Sequence, residues 1–315
     1  MPKRLSKRIH LVQTIQLVAP LFALMSLGYA LKKQKFFSEG FAGDLNRFIF
    51  YIALPVTLFL QTSDMAGTFT GAGVAALMQP LTIVSVALVA TLLALRAEPA
   101  RRGPFTQASY RANMAYLGLP IVATVYGDAA LGIVAVTIAA GVVTNSVVSI
   151  LVLRMNDPGA GGQSPWRRLL DVVRNPLIIA IALGMLFSLA GLRLPAIAQE
   201  TLSLLQRVSL PLVLVVVGYS FSFTKVSSRF LVALGAAALK LAFMPLFAWA
   251  VLTWGFGVSG LLRSAIVLMT AMPTAVASQS FAAAFNADEQ LAAAAVSFST
   301  LASLVTIPVW IYLLA

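Results

Sequence analysis

The chain offers few side chains for covalent chemistry: it has no cysteine and a single histidine, His10. Thiol nucleophiles, disulfide scaffolds, zinc ribbons and iron–sulfur sites fall away together, and so do most metal sites and most catalytic triads. The polar residues that could do chemistry sit inside apolar runs. Tyr110, Asn113 and Tyr116 flank Gly118-Leu119-Pro120, and Met272-Pro273-Thr274 is followed by Ser278, Gln279 and Ser280. A proline removes a helix hydrogen bond and clashes with the preceding turn. In hydrocarbon the freed carbonyls need partners in the protein or in a water-filled cavity. Two such breaks facing each other would set half-helix N-termini, with their partial positive charge, near the membrane midplane, which favours an anion. The plainer reading is that such prolines only kink helices. Their recurrence in two matched places, each with polar neighbours, favours a binding site made by Asn113, Gly118, Pro120, Pro273, Thr274, Ser278 and Gln279.

Lys240 is the one charge well inside an apolar run, about ten residues from either end, or roughly 15 Å from each surface at 1.5 Å per residue. A central lysine costs at least about 2.5 kcal/mol on insertion scales. Asp64, Asp128, Asp288 and Glu289 all fall near the ends of runs, so no acid shares its depth. Lys240 therefore rests on carbonyls freed by a broken helix, or is deprotonated, or meets an anion; it is expected to give electrostatic support to the site. A coupling cation would have to use hydroxyls and carbonyls, from Thr137, Thr144, Asn145, Ser297, Ser299 and Thr300, although such hydroxyls more often pack helix against helix. Uniport, anion exchange and ion-coupled symport all stay open. Gly257-Val258-Ser259-Gly260 spells the nucleophile motif of intramembrane serine hydrolases, but His10 lies in the N-terminal tail and a Ser259–Lys240 dyad would join a connector to a mid-run residue. No phosphate loop, HExxH or contextual GxGxxG is present. No enzyme, no cofactor and no resident metal are expected.

These residues must be positioned by helices in a bilayer. Of 315 residues, 60% are hydrophobic and 10% charged, with mean hydropathy +0.92; a soluble domain is nearer half apolar and a quarter charged. Windows of roughly 20 apolar residues occur at 11–31, 48–62, 73–95, 108–126, 129–153, 176–191, 208–223, 230–254, 261–285 and 291–314. The fold class is therefore an all-α polytopic membrane protein with ten transmembrane helices, the fourth and ninth broken. Stretches 39–47, 166–174 and 196–207 read as interfacial helices. The first run is too long for a signal peptide and lacks a small-residue cleavage site. The net charge of +12 sits in the connectors. Fourteen Lys and Arg, from Lys32, Lys33 and Lys35 to Lys225 and Arg229 and with Arg111 among them, fall on one side and seven on the other. The richer side is expected to be cytoplasmic, leaving both termini outside the inner membrane. The basic tail, with Lys3, Arg4, Lys7 and Arg8, pulls against that orientation. The charge is thus a topology signal and lends nucleic-acid binding no support.

The chain also repeats itself. Pro20-Leu21, Leu27-Gly28 and Leu54-Pro55 recur 156 residues later as Pro176-Leu177, Leu183-Gly184 and Leu210-Pro211. Five runs in each half force the second half to enter the membrane from the opposite face. Inverted repeats with interrupted helices are the usual build of secondary transporters. The expected organisation is a first five-helix repeat over 1–155, a cytoplasmic connector over 156–174 and a second repeat over 175–315. Small-residue stretches at 71–76, 236–238 and 292–295 suit close helix packing in a carrier or a channel alike; the paired breaks favour the carrier.

Leu45-Asn46-Arg47 leading to Ala53-Leu54-Pro55, Asn113 followed by Leu117-Gly118-Leu119-Pro120, then Tyr126-Gly127, Asn175-Pro176, and Met272-Pro273 followed by Phe285-Asn286-Ala287-Asp288 resemble the auxin efflux carrier family, from Leu17 to the end. The short connector 156–174 is similar to that of the compact bacterial members, which include transporters of malonate and malate. The resemblance implies a fold like that of the bile-acid sodium symporters. Spans 1, 2, 6 and 7 would form a scaffold, and spans 3–5 and 8–10 a core carrying crossed, broken helices. It also implies elevator-like movement and a possible homodimer through the scaffold. By position Asn113 matches the substrate-contacting asparagine, and Pro120 and Pro273 the crossover prolines. Pro55 and Pro211 would shape the scaffold wall. Many bacterial relatives carry an asparagine shortly after the second proline; here Ser278 or Gln279 stands in its place. The expected substrate is a small organic anion, a carboxylate such as malonate or malate or an auxin-like acid, with a sodium- or proton-coupled symporter as the alternative.

Overall fold

A bilayer offers backbone groups no water, so a chain this apolar must satisfy its N–H and C=O groups internally. It does so with helices. The computed structural model describes residues 11–63, 71–156, 174–220, 229–285 and 287–315. Within them run α1 (Leu11–Lys33), α2 (Glu39–Phe48), α3 (Leu54–Ser63), α4 (Ala72–Ala94), α5 (Pro99–Tyr110), α6 (Leu119–Tyr126), α7 (Leu131–Asn156), α8 (Pro176–Leu189), α9 (Ala196–Ser220), α10 (Phe230–Ala238), α11 (Met244–Ala250), α12 (Gly260–Thr270), α13 (Ala277–Ala284) and α14 (Glu289–Leu314). Among the described residues, six helical segments are long and apolar enough to cross a membrane: Gly43–Ser63, Ala72–Ala94, Asp128–Leu153, Ala196–Tyr219, Phe230–Gly255 and Glu289–Leu314. Met114–Tyr126, Pro176–Leu189 and Gly260–Thr270 are shorter apolar helices. The chain is a multi-pass, all-helical membrane protein.

Several helices change pitch ahead of a proline. π turns at Ile49–Ala53, Met114–Gly118 and Leu239–Phe243 each end one residue before an X-Pro pair: Leu54-Pro55, Leu119-Pro120 and Met244-Pro245. In each, the residue before the proline donates its N–H five residues back, to Ile49, Met114 and Leu239 respectively. Widening the turn lets the chain pass a residue that has no N–H to give. Leu241 O, four residues ahead of Pro245, accepts the Trp310 indole N–H at 2.8 Å.

The helices form two groups. In one, α1 packs along α9 and α3 along α8. Both contacts are set by glycine: a Cβ on Gly218 would lie 1.8 Å from Met25 O, on Gly28 2.0 Å from Val215 O, and on Gly184 1.9 Å from Thr62 Oγ1. Gly28 and Gly184 are partners in the sequence repeat, and each makes the corresponding close approach. In the other group α5, α10 and α14 meet through Ala108, Ala233, Ala236, Ala294 and Ala295, all buried. Their starts are tied together by Asp288, which caps α14 through Leu291 N, accepts from Arg229 Nε at 2.6 Å and lies 3.7 Å from Arg101 Nε.

The interfacial stretch at 39–47 forms α2, its Ser38 hydroxyl accepting from Phe41 N at 3.1 Å. The stretch at 196–207 is not a separate helix. It runs without a break into α9, which takes Pro211 in its interior. His10, Asp64, the stretch 166–173, almost all of the connector 156–174, Lys225 and Asn286 lie outside the described residues.

Candidate functional site

The two broken helices cross and hold each other by their backbones. α5 ends at Tyr110, Arg111 is extended, and the π turn Met114–Gly118 begins after Asn113. α12 ends at Thr270, and α13 starts at Ala277. Ala112 and Thr274 form an antiparallel bridge between the two gaps. Asn113 N donates to Pro273 O and Ala275 N to Arg111 O, both at 2.8 Å. Thr274 locks the crossing from the second side: its N–H donates to Ser299 Oγ at 3.0 Å, and its hydroxyl to Ala108 O at 2.8 Å. α5, α14 and the gap between α12 and α13 thus meet through main-chain groups that hydrocarbon could not have satisfied.

The first break is not where the proline pattern placed it. Gly118-Leu119-Pro120 was expected to interrupt the helix, yet the helix runs on through it from Met114 to Tyr126, the π turn Met114–Gly118 widening ahead of the proline. The interruption falls at residues 111–113, where nothing in the local sequence forbids helix; pairing with the opposite gap draws it out. Pro273 does lie in its gap and supplies the carbonyl for Asn113 N. Gly118 fits against the end of α12: a Cβ there would lie 2.7 Å from Met269 Sδ.

Asn113 is the N-cap residue of the π turn and only 5% exposed, but its amide makes no capping hydrogen bond. The N–H groups of Met114, Ala115 and Tyr116 open a helix and have no carbonyl behind them in the ladder, while Leu117 N and Gly118 N both donate to Asn113 O at 3.1 Å. Ser278 lies at the start of α13, buried, with its hydroxyl unpartnered. Gln279 turns elsewhere, donating to Glu289 Oε1 at 2.8 Å. Thr274 is fully buried and spent on the crossing. Pro55 is half-buried at the start of α3 and Pro211 is exposed on α9.

Lys240 takes the first of its expected roles. Fully buried in the π turn Leu239–Phe243, it donates to Thr270 O, the last carbonyl of α12, and to Met244 Sδ at 3.3 Å. A cation at a helix C-terminus meets the negative end of the helix dipole. Among the hydroxyls weighed for a cation, Thr137 and Thr144 bond back to Ile133 O and Ala140 O within α7. Ser299 serves Thr274, and Ser297 and Thr300 are buried on α14. Asn145 leaves its Oδ1 buried without a partner. Ser259 sits in the exposed connector before α12.

The sequence reading missed Arg111. It was counted with the connector charges, but it is the C-cap residue of α5 and part of the crossing. Its Nη1 donates to Ser149 Oγ on α7 at 3.0 Å, and its guanidinium lies 4.1 Å from the Phe281 ring centre on α13. Ser149 Oγ also bonds Tyr110 Oη at 2.9 Å. Its position inside the 108–126 window, two residues from Asn113, was the available signal. A second missed contact joins the two helix groups: Tyr116 Oη donates to Asn46 Oδ1 at 3.0 Å.

The chain matches the profile of the family described as "Membrane transport protein" over residues 13–311. It is 28% identical over 300 residues to an "Uncharacterized transporter" of Methanothermobacter thermautotrophicus, covering 93% of this chain and 96% of the relative. It is 24% identical over 309 residues to "Uncharacterized transporter YfdV" of Escherichia coli K12, covering 93% and 95%. A YfdV of Shigella flexneri matches to the same extent.

Proposed function

The chain belongs to the membrane transport protein family, that of the auxin efflux carriers, and on that footing we propose that it is a secondary carrier for a small organic anion, bound where its two broken helices cross. The observation that carries this reading is the crossing itself: two gapped helices bridged at Ala112 and Thr274, with the unpartnered Asn113 amide beside the opening N–H groups of a half-helix. Preorganised donors in a dry site favour an anion without reorganisation.

The carrier has ten spans in a five-plus-five inverted repeat. Support comes from the pairing of α1 with α9 and α3 with α8, the exchange that a two-fold relation between the halves requires, and from the matching glycines in those contacts. The first group of helices is the scaffold; α4 to α7 and α10 to α14 are the moving core, which shifts like an elevator to expose the crossing to either side. The side holding Arg101, Arg229 and Asp288 is cytoplasmic, both termini face the other side, and the protein sits in the bacterial inner membrane. Moving Arg111 into the crossing lowers the cytoplasmic charge excess to 13 against 7, which keeps the orientation.

Counterflow in proteoliposomes tests the reading, using labelled malonate, malate and indole-acetate with and without sodium or pH gradients. The expected result is saturable exchange of one acid that Asn113→Ala reduces at least about tenfold, the scale of one hydrogen bond to a charged group. Exchange of none of them by the native protein overturns the anion assignment.

A further inference from the structure

Building on the anion-carrier reading, we infer that Arg111 is the residue that takes the substrate's carboxylate, and that the substrate is carried as a monoanion. Two cations lie at the crossing, and their surroundings differ. Lys240 is fully buried, with its ammonium committed to Thr270 O and Met244 Sδ. Arg111 is half-buried; one of its five N–H groups donates to Ser149, and among the described residues no carboxylate comes within ion-pair distance of it. A guanidinium keeps its charge across the working pH range and presents paired donors that match a carboxylate edge to edge.

Its head is also held ready. The Phe281 ring covers one face of the guanidinium and Ser149 takes one corner, while its own carbonyl is pinned by Ala275 N. Arg111 and Asn113 flank Ala112, and both are held against the opposite gap by their backbones, Asn113 N on Pro273 O and Arg111 O on Ala275 N. A carboxylate on Arg111 therefore lies within reach of a second polar group on the Asn113 amide. One turn from Ser149 on α7, Asn145 leaves a buried Oδ1 unpartnered; one turn from Phe281 on α13, Ser278 leaves a buried hydroxyl unpartnered. These are neutral groups suited to a hydroxyl, an amide or a ring N–H. With one uncommitted cation and neutral polar groups around it, the site balances a single negative charge. A diacid would enter with one carboxyl protonated.

The experiment compares, in native protein, Arg111→Gln and Arg111→Lys, the counterflow of an acid and of its uncharged primary amide, beginning with indole-acetate and indole-acetamide. Thermal unfolding in detergent reports on folding in parallel. Arg111→Gln is expected to raise the half-saturation concentration for the acid roughly 10- to 100-fold while leaving the amide near its native value, so that preference for the acid collapses. Arg111→Lys, which keeps the charge but not the paired donors, is expected to raise it several-fold with the preference kept. A purely structural role would instead depress both compounds together. If Arg111→Gln does not fold, the Lys variant decides: an unchanged half-saturation value overturns the assignment. Native exchange of an acid that neither variant weakens, or faster exchange of malonate dianion than of any monoanion, overturns the Arg111 proposal alone. No exchange of any acid by native protein sinks the anion-carrier reading and this inference with it.

Discussion

Lys240 and Arg111 divide the positive charge at the crossing into a structural half and a binding half, and the division can be measured. The Lys240 ammonium caps a half-helix whose last carbonyl has no following turn to bond. Replacing it with methionine fills a similar volume but leaves Thr270 O without its donor, at a cost of about 1–3 kcal/mol. Part of that loss is offset because a buried cation no longer has to be desolvated. The expectation for Lys240→Met is a lower thermal-unfolding midpoint in detergent, with half-saturation for the acid within about twofold of native, less than the tenfold that 1.4 kcal/mol of lost binding produces. A large rise in that value with unchanged stability places the ammonium on the substrate instead. Asn113 is the converse case. Its amide makes no capping hydrogen bond, so its loss should be felt in exchange and little in stability.

At the scale of helices, much of the architecture was legible, because hydropathy and proline act locally. Among the described residues the apolar windows fall on helices outside the gaps at 111–113 and 271–276, six of those helices being long enough to span, and the second break lies where Met272-Pro273-Thr274 put it. The first break was misplaced because a π turn carries the helix past Pro120, whereas the gap at 111–113 is drawn out by pairing with a segment more than 160 residues away. Arg111 was hidden for the same reason: Ser149 and Phe281 are its neighbours only after folding. Gln279 read as a substitute for asparagine, and its engagement by Glu289 depends on how α13 meets α14. The glycines were legible as a repeat but not as contacts. Gly218 gives the sharpest test. In an open helix position Gly→Ala gains up to about 1 kcal/mol of propensity, and Gly73→Ala, with nothing within 4 Å of the new Cβ, should leave stability unharmed. The same change at Gly218 forces α1 and α9 apart and should cost about 1–3 kcal/mol or more. Thermal unfolding of the two variants side by side checks the contrast. A second element-scale expectation concerns Trp310→Phe, which removes the donor to Leu241 O beside Pro245; an unfolding midpoint no lower than native would show that the π turn satisfies that carbonyl unaided.

For the whole molecule, the question is which surfaces are built to slide. Wherever a Cβ added to a described glycine would come within 3.0 Å of a neighbour, that neighbour belongs to the glycine's own helix group: Gly28, Gly184 and Gly218 in the group of α1, α3, α8 and α9, and Gly71, Gly103, Gly118 and Gly141 in the other. Interlocked packing of this kind resists displacement, because cores are close-packed and not continuously deformable. The boundary between the groups lacks such interlocks and is crossed by the Tyr116–Asn46 hydrogen bond, a contact worth about 1 kcal/mol and easily exchanged during a movement. The chain has no cysteine, so paired cysteines can be introduced without clearing a background. Asn46→Cys with Tyr116→Cys, bridged by a short bifunctional thiol reagent, joins core to scaffold. Phe59→Cys with Phe187→Cys, whose rings meet edge to face with centres 5.4 Å apart between α3 and α8, joins two helices of the first group under the same chemistry. If the core moves as a body, the first bridge should abolish counterflow and a reductively cleavable version should restore it, while the second should leave exchange close to native. Arrest by both bridges would mean that the scaffold itself must flex, and exchange surviving the first would confine the motion to the crossed half-helices.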